Sequence, residues 1–250
     1  MAAVRLADGV DLTIFVTCFN EADLISGTLD TIRLVLGPFT CTYEVLIYDD
    51  ASSDDSVAVI GDYIATHELG ANFFLIANPT NMGIGVNYFR AAERGRGEYF
   101  FIIHGDNAIP AEALTKVIAL MGQAEMIVPY FRTRLFAKRF NCDHRPFSRR
   151  LLSVLFAQLI RLLSGHELHY FNGWVLHKRE NVLANRVNAY GLGFQAELLC
   201  KILADPTVEY LEIRQHNLDQ SGTTTAFRLK NVVSVLGSLG RILLGRIGNL

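Results

Sequence analysis

Residues 100–110 read FFIIHGDNAIP. The apolar run at its start marks a buried strand, and it stops abruptly at His104, Gly105, Asp106 and Asn107. Pro110 then suits the first turn of a helix, where a backbone N–H has no intrahelical partner to lose. A plain polar strand-to-helix turn accounts for this pattern. So does a site at the carboxyl edge of a sheet, where open α/β folds place their ligands. The flanking sequence bears on both.

Working outward, DLTIFVTC (11–18), YEVLIYD (43–49), NFFLIAN (72–78) and EYFFIIH (98–104) all read as strands, and EMIVPY (125–130) as a fifth. Residues 22–36, 54–67 and 84–94 read as the helices between them. Such alternation predicts an α/β fold with a mostly parallel sheet covered by helices on both faces. Past 130 the pattern loosens. Residues 132–147 read as a basic, aromatic loop and 148–163 as a strongly apolar helix. GWVLHK (173–178) is a short strand, FQAELLCKIL (194–203) a helix and VEYLEIR (208–214) a strand. Residues 215–225 form a loop and 226–247 a last helix. With no repeat and no linker, we expect one domain over 1–250, with halves at 1–129 and 130–250.

The chain has 250 residues, half of them hydrophobic, and a net charge of −2. That charge argues against a nucleic-acid partner, which needs a basic surface. The four cysteines are far apart and form no CxxC pair. Cys18 and Cys200 sit in apolar stretches and read as buried thiols, which suits a reducing cytoplasm. The start, MAAVRLADGVD, has no apolar core of a signal peptide. The apolar stretch 232–244 is too short and too polar to span a bilayer, though an interfacial helix stays open.

Three polar clusters fall at strand ends: TCFNE (17–21), YDDASSDDS (48–56) and HGDN (104–107). Right-handed crossovers place them on one side of the sheet. Asp54 or Asp55 reads as a helix N-cap. Asp49 and Asp50 are adjacent carboxylates that repel, so a ligand or cation is a reason for both. Gly83 and Gly85 allow close backbone approach. A dinucleotide fingerprint is not met, because Tyr88 stands at its third glycine. The P-loop, GxSxG and HExxH motifs are absent.

Taken in order, FVTCFNEADLI, EVLIYDDASSDDS, NPTNMGIGVNYFRAAERGRGEYFFIIHGDNAIP and GFQAELL resemble family-2 glycosyltransferases of the GT-A fold. Within that family the chain most resembles the dolichyl- and polyprenyl-phosphate sugar transferases. The resemblance is strong over 11–129 and traceable to 225. It implies that Asn20 and Glu21 contact the nucleotide base, with Thr17 where the family has proline. It implies that Asp49 and Asp50 bind base and ribose, and that Asn81, Gly83 and Gly85 flank the nucleotide. Asn87 replaces a small residue. The opening stretch occupies the family's DxD motif, which holds Mg²⁺ or Mn²⁺ on the donor diphosphate. His104 stands at its first acidic position and Asp106 keeps the second. His104 suits Mn²⁺, or is simply hydrogen-bonded to backbone.

On the acceptor side the same resemblance makes Glu197 a base or positioning group, against an exposed helix glutamate. His216 is a late metal ligand or a surface-loop histidine. Arg132, with Arg149 or Arg150, would hold an acceptor phosphate, against a solvated basic loop. The expectation is a metal-dependent inverting glycosyltransferase moving a sugar from a nucleoside-diphosphate sugar to a polyprenyl phosphate. It would sit in the cytoplasm, with peripheral membrane contact or a membrane partner subunit. The alternatives are a soluble hydroxyl acceptor, or a nucleotide-sugar-binding subunit without catalysis.

Overall fold

The computed structural model describes residues 9–131, 147–188, 191, 193–215 and 229–248. Strands β1 (Val10–Cys18), β2 (Tyr43–Asp49), β3 (Phe73–Ala77) and β4 (Gly97–His104) alternate with helices α1 (Ile25–Leu36), α2 (Ser56–Thr66) and α3 (Ile84–Arg94). Then come α4 (Ala111–Ile118), β5 (Met126–Phe131), α5 (Phe147–Ser164), β6 (Leu176–Lys178) and α6 (Arg179–Ala184). The chain closes with α7 (Phe194–Ile202), β7 (Tyr210–Gln215) and α8 (Leu229–Gly248).

Among the described residues seven strands join one sheet in the order β3-β2-β1-β4-β6-β5-β7. Every pairing is parallel except those of β6, which runs antiparallel to both β4 and β5. The first three strands step outward from β1 to β3, and β4 then returns to the other side of β1. That reversal makes a topological switch point between the carboxyl ends of β1 and β4, the crevice where such sheets bind ligands. Thr17 and His104 are register partners at its rim.

The core follows from the apolar runs. Leu12, Ile14, Phe15, Val16, Val45, Ile47 and Phe100 through Ile103 are almost fully buried. Strands hydrophobic at successive positions need cover on both faces. Helices α1, α2 and α4 pack together, as do α3, α6, α7, α8 and α5 in succession. A second, smaller cluster around Val128, Ile160, Phe171, Leu199 and Ile242 binds α5, α7 and α8 to the sheet. Cys18 and Cys200 are buried free thiols as expected, and burial pushes their pKa values up to about 11 and about 12.

The expected elements are present with three differences. Helix α1 starts at Ile25 rather than 22, because residues 22–24 make a turn. Only Leu176–Lys178 of GWVLHK pairs as strand. Helix α6 follows β6 directly and was not foreseen, since six residues carry no readable period. The expected loops at 132–147 and 215–225 lie almost wholly outside the described residues.

Candidate active site

Four loops meet at the carboxyl edge of β1 to β4. Each contains one residue in the left-handed region: Asn20 (φ 57°), Ala51 (φ 63°), Gly83 (φ 84°) and Asn107 (φ 52°). Three of these are not glycine, and such conformations concentrate where a site over-determines the backbone.

The first two loops are tied to each other. The Asn20 N–H donates to Ser52 Oγ at 2.8 Å, and Asn20 Oδ1 accepts the Ser53 N–H at 2.7 Å. The Glu21 N–H donates to Ser56 Oγ at 2.9 Å, and the Ala22 N–H to Asp54 Oδ2 at 3.1 Å. Asp54 also accepts the Ser56 N–H and hydroxyl, so it serves the start of α2, and these bonds hold its carboxyl below the usual range. Asp55 occupies the cap position without a side-chain bond.

The paired aspartates face different partners. Asp49 is buried, and its carboxylate accepts the Ser52 N–H at 3.0 Å and the Ser52 hydroxyl. Asp50 is 8% exposed. Its Oδ1 accepts Asn78 Nδ2 (2.9 Å) and the Met82 N–H (2.8 Å), while Oδ2 accepts the Gly83 N–H (2.9 Å). Asn81 Nδ2 donates to the Asp50 carbonyl at 3.2 Å. Asp50 is thus the hub that shapes the loop before α3. Asn87, large for its place, is buried and accepts the other hydrogen of Asn78 Nδ2 at 2.8 Å. Gly85 is buried in the first turn of α3.

At the end of β4, Gly105 lies so close to β1 that a Cβ there would sit 2.5 Å from the Thr17 carbonyl oxygen. The chain then turns outward, so Asp106 is exposed, with Oδ1 accepting the Ala108 N–H at 3.2 Å. Asn107 is anchored below by its N–H to Thr28 Oγ1 at 2.9 Å. His104 Nδ1 sits 3.2 Å from Thr17 Oγ1. Burial pulls its imidazole below the usual range, and the Asp106 carboxylate pulls partly back. Glu21 faces the same turn. Burial, then the charges of Asp106 and Asp54, push its carboxyl above the usual range. Asp106 and Glu21 are therefore two oxygen donors in one electrostatic neighbourhood, at the rim of the switch-point crevice.

The acceptor-side candidates fall elsewhere. Glu197 is buried in α7, and its Oε2 accepts Arg241 Nε of α8 at 2.8 Å. That burial and pairing exclude the alternative of an exposed helix glutamate. Arg149 and Arg150 fall in the first turn of α5, and Arg132 and His216 lie outside the described residues. Among the described residues no group of three or more His, Cys, Asp or Glu side chains is placed to hold a metal.

Sequence reading missed other polar groups on this edge. Trp174 Nε1 and Gln215 Nε2 are buried donors without a partner among the described residues. His169 Nδ1 sits 2.8 Å from Glu212 Oε2, and its ring stacks on Tyr130 with centroids 4.4 Å apart. Glu212 and His169 are far apart in the chain, so no local motif marks them.

A mostly parallel sheet, a switch-point crevice and an exposed carboxylate at its rim define the GT-A class of nucleotide-sugar fold. The family description Glycosyl transferase family 2 matches residues 13–182, and the chain belongs to that family. Mannosyl-3-phosphoglycerate synthase from Rubrobacter xylanophilus superposes with a TM-score of 0.69 at 14% identity, over 96% of this chain and 76% of that one. Glucosyl-3-phosphoglycerate synthase from Mycobacterium tuberculosis, solved with Mg²⁺ and UDP, gives 0.67 at 16% identity, over 96% and 80%. An uncharacterised glycosyltransferase of Mycoplasma pneumoniae is 27% identical over 147 residues, 58% of this chain and 44% of its own length. The chain spans less than half the length of the curated relatives it matches.

Proposed function

We propose that this chain binds a nucleoside-diphosphate sugar at the carboxyl edge of β1 to β4 and transfers the sugar, with inversion, to an acceptor over β6, β5 and β7. The observation that carries this reading is the exposed Asp106 carboxylate beside Glu21, at the mouth of the crevice between β1 and β4. The nucleoside would lie over the cross-tied loops of Asn20, Asp50 and Gly83, and its diphosphate would reach Asp106. The leaving diphosphate develops concentrated negative charge, and a hard divalent cation held by oxygens supplies the counter-charge.

The donor set fits Mg²⁺ or Mn²⁺. Two carboxylates in mutual repulsion favour a cation, and such an ion completes its shell with phosphate oxygens and water. Asp106 would be the principal protein ligand, with Glu21 beside it. His104 already has Nδ1 at Thr17 and would act on the shape and charge of the turn.

For the acceptor, a hydroxyl compound is the leading reading, supported by the histidine–carboxylate pair on the acceptor half. A polyprenyl phosphate is the second reading. A specific surface favours it: Leu155, Leu159 and Leu162 are 56%, 40% and 73% exposed along one face of α5, and Leu243 and Leu244 of α8, which packs on α5, are exposed as well. No helix among the described residues is long and apolar enough to cross a membrane. A lipid acceptor would therefore meet these helices at a surface.

A panel of nucleoside-diphosphate sugars read by thermal unfolding, with and without Mn²⁺, tests the donor half. A ligand at 100 times its Kd stabilises the native state by about 2.7 kcal/mol. One nucleotide class should raise Tm, and more so with Mn²⁺. No response to any member would sink the reading.

A further inference from the structure

We infer that His169 is the base that accepts the proton of the acceptor hydroxyl, and that Glu212 positions it. The inference rests on the donor reading above and fixes the acceptor class as a hydroxyl compound.

His169 is held on three sides although its side chain is 54% exposed. Its N–H donates to Glu212 Oε1 at 2.7 Å, Nδ1 meets Oε2 at 2.8 Å, and the ring stacks on Tyr130 at an interplanar angle of 16°. An ordinary surface pair of this kind gains little and loses side-chain freedom. Here one carboxylate grips both backbone and ring. A carboxylate only accepts, so Nδ1 carries the hydrogen and Nε2 presents a lone pair. This is the arrangement in which a neutral imidazole takes a proton.

The position agrees. Ile127 of β5 and Phe101 of β4 both pair with Leu176 of β6. Three residues further toward the carboxyl edge stand Tyr130 and His104. Equal offsets put them on one face, two strand spacings or about 10 Å apart. His169, stacked on Tyr130, therefore stands at the carboxyl edge on the face that His104 shares, with β6 between their two strands.

In the step, the acceptor O–H proton passes to His169 Nε2. The oxygen forms a bond to the anomeric carbon. The bond from that carbon to the diphosphate oxygen breaks, and its electron pair leaves with the nucleoside diphosphate. Nε2 later returns the proton to water.

The experiment uses the full chain with UDP-glucose, or whichever sugar nucleotide binds best in the panel. Glycerol and 3-phosphoglycerate serve as hydroxyl acceptors and a short-chain polyprenyl phosphate as the lipid arm. His169→Ala should lower kcat for hydroxyl transfer by roughly 100-fold or more while donor Kd stays put. Added imidazole should restore part of that rate, which a purely structural loss would not allow. Glu212→Gln should lower kcat less, with KM little changed. Near wild-type kcat in His169→Ala, or loss without imidazole rescue, would overturn the assignment. Transfer to the lipid phosphate alone would also overturn it, because an anionic acceptor needs no base, and would leave the donor reading standing. Absence of any donor binding would remove both.

Discussion

Asp49 and Asp50 are neighbours in sequence and serve different loops. In sequence, two adjacent carboxylates pointed to a ligand. In the structure each is turned onto protein donors, Asp49 onto Ser52 and Asp50 onto Asn78, Met82 and Gly83. Their place at a strand end was legible; their protein partners were not, because nothing local in the sequence pairs Asp50 with Asn78 or with the backbone N–H groups of Met82 and Gly83. Asp50→Asn places an amide hydrogen against an N–H donor of the Met82–Gly83 loop. The loss should be about 1–3 kcal/mol of unfolding free energy in urea, with weaker nucleotide binding as the loop loosens. Unchanged stability would contradict the hub role.

His177 is a second case at this scale. It sits in β6, buried, with Nδ1 lacking a partner among the described residues, and burial drives its pKa down to about 3 from about 6.5. The unfolded chain binds its proton first as pH falls, so stability drops from about pH 6.5 downward until the folded-state value is reached. By pH 5 the loss is about 2 kcal/mol, at 1.36 kcal/mol per pH unit. His177→Leu should flatten that part of the pH–stability curve. An equal slope in both proteins would count against a neutral buried imidazole.

Among the elements, β1 and β4 carry the site because glycine lets them approach. A Cβ at Gly105 would meet the Thr17 oxygen at 2.5 Å and Ile25 Cδ1 at 2.9 Å. At the opposite end of β4, a Cβ at Gly97 would meet the Thr13 nitrogen at 2.3 Å. Both alanine variants should lose roughly 1–3 kcal/mol from overpacking. Only Gly105→Ala should also weaken nucleotide affinity, because it displaces the Asp106 turn. Equal effects on calorimetric UDP affinity would show that the turn does not hold the donor. The strands of this half were legible because their apolar runs are long and evenly spaced. The antiparallel β6 was only half legible: its residues read as a strand, but nothing local says that it inserts between β4 and β5.

Across the whole molecule, the acceptor half is assembled by contacts between distant segments. The Glu197–Arg241 pair joins α7 to α8, and Arg246 Nη1 donates to the Leu162 carbonyl of α5 at 2.7 Å. Glu197 looked like an acceptor-side group, and its burial against α8 makes it a tie between helices. Glu197→Gln should cost about 1–2 kcal/mol, discounted because Arg241 is partly in water. Hydrogen exchange should quicken in α7 and α8, while kcat for the surviving protein stays within about threefold of wild type. A collapse of kcat at full stability would return Glu197 to the chemistry.

The central claim is that Asp106 joins a cation to a nucleoside diphosphate at the β1–β4 crevice. Calorimetric titration of UDP into wild type and Asp106→Asn, each with and without Mn²⁺, addresses it most directly. Wild type should bind UDP at least tenfold more tightly with Mn²⁺, about 1.4 kcal/mol. Asp106→Asn should keep its Tm, since this side chain is exposed and among the described residues bonds only Ala108, and should lose that Mn²⁺ gain. An equal Mn²⁺ gain in the variant, or no gain in wild type, would contradict the claim.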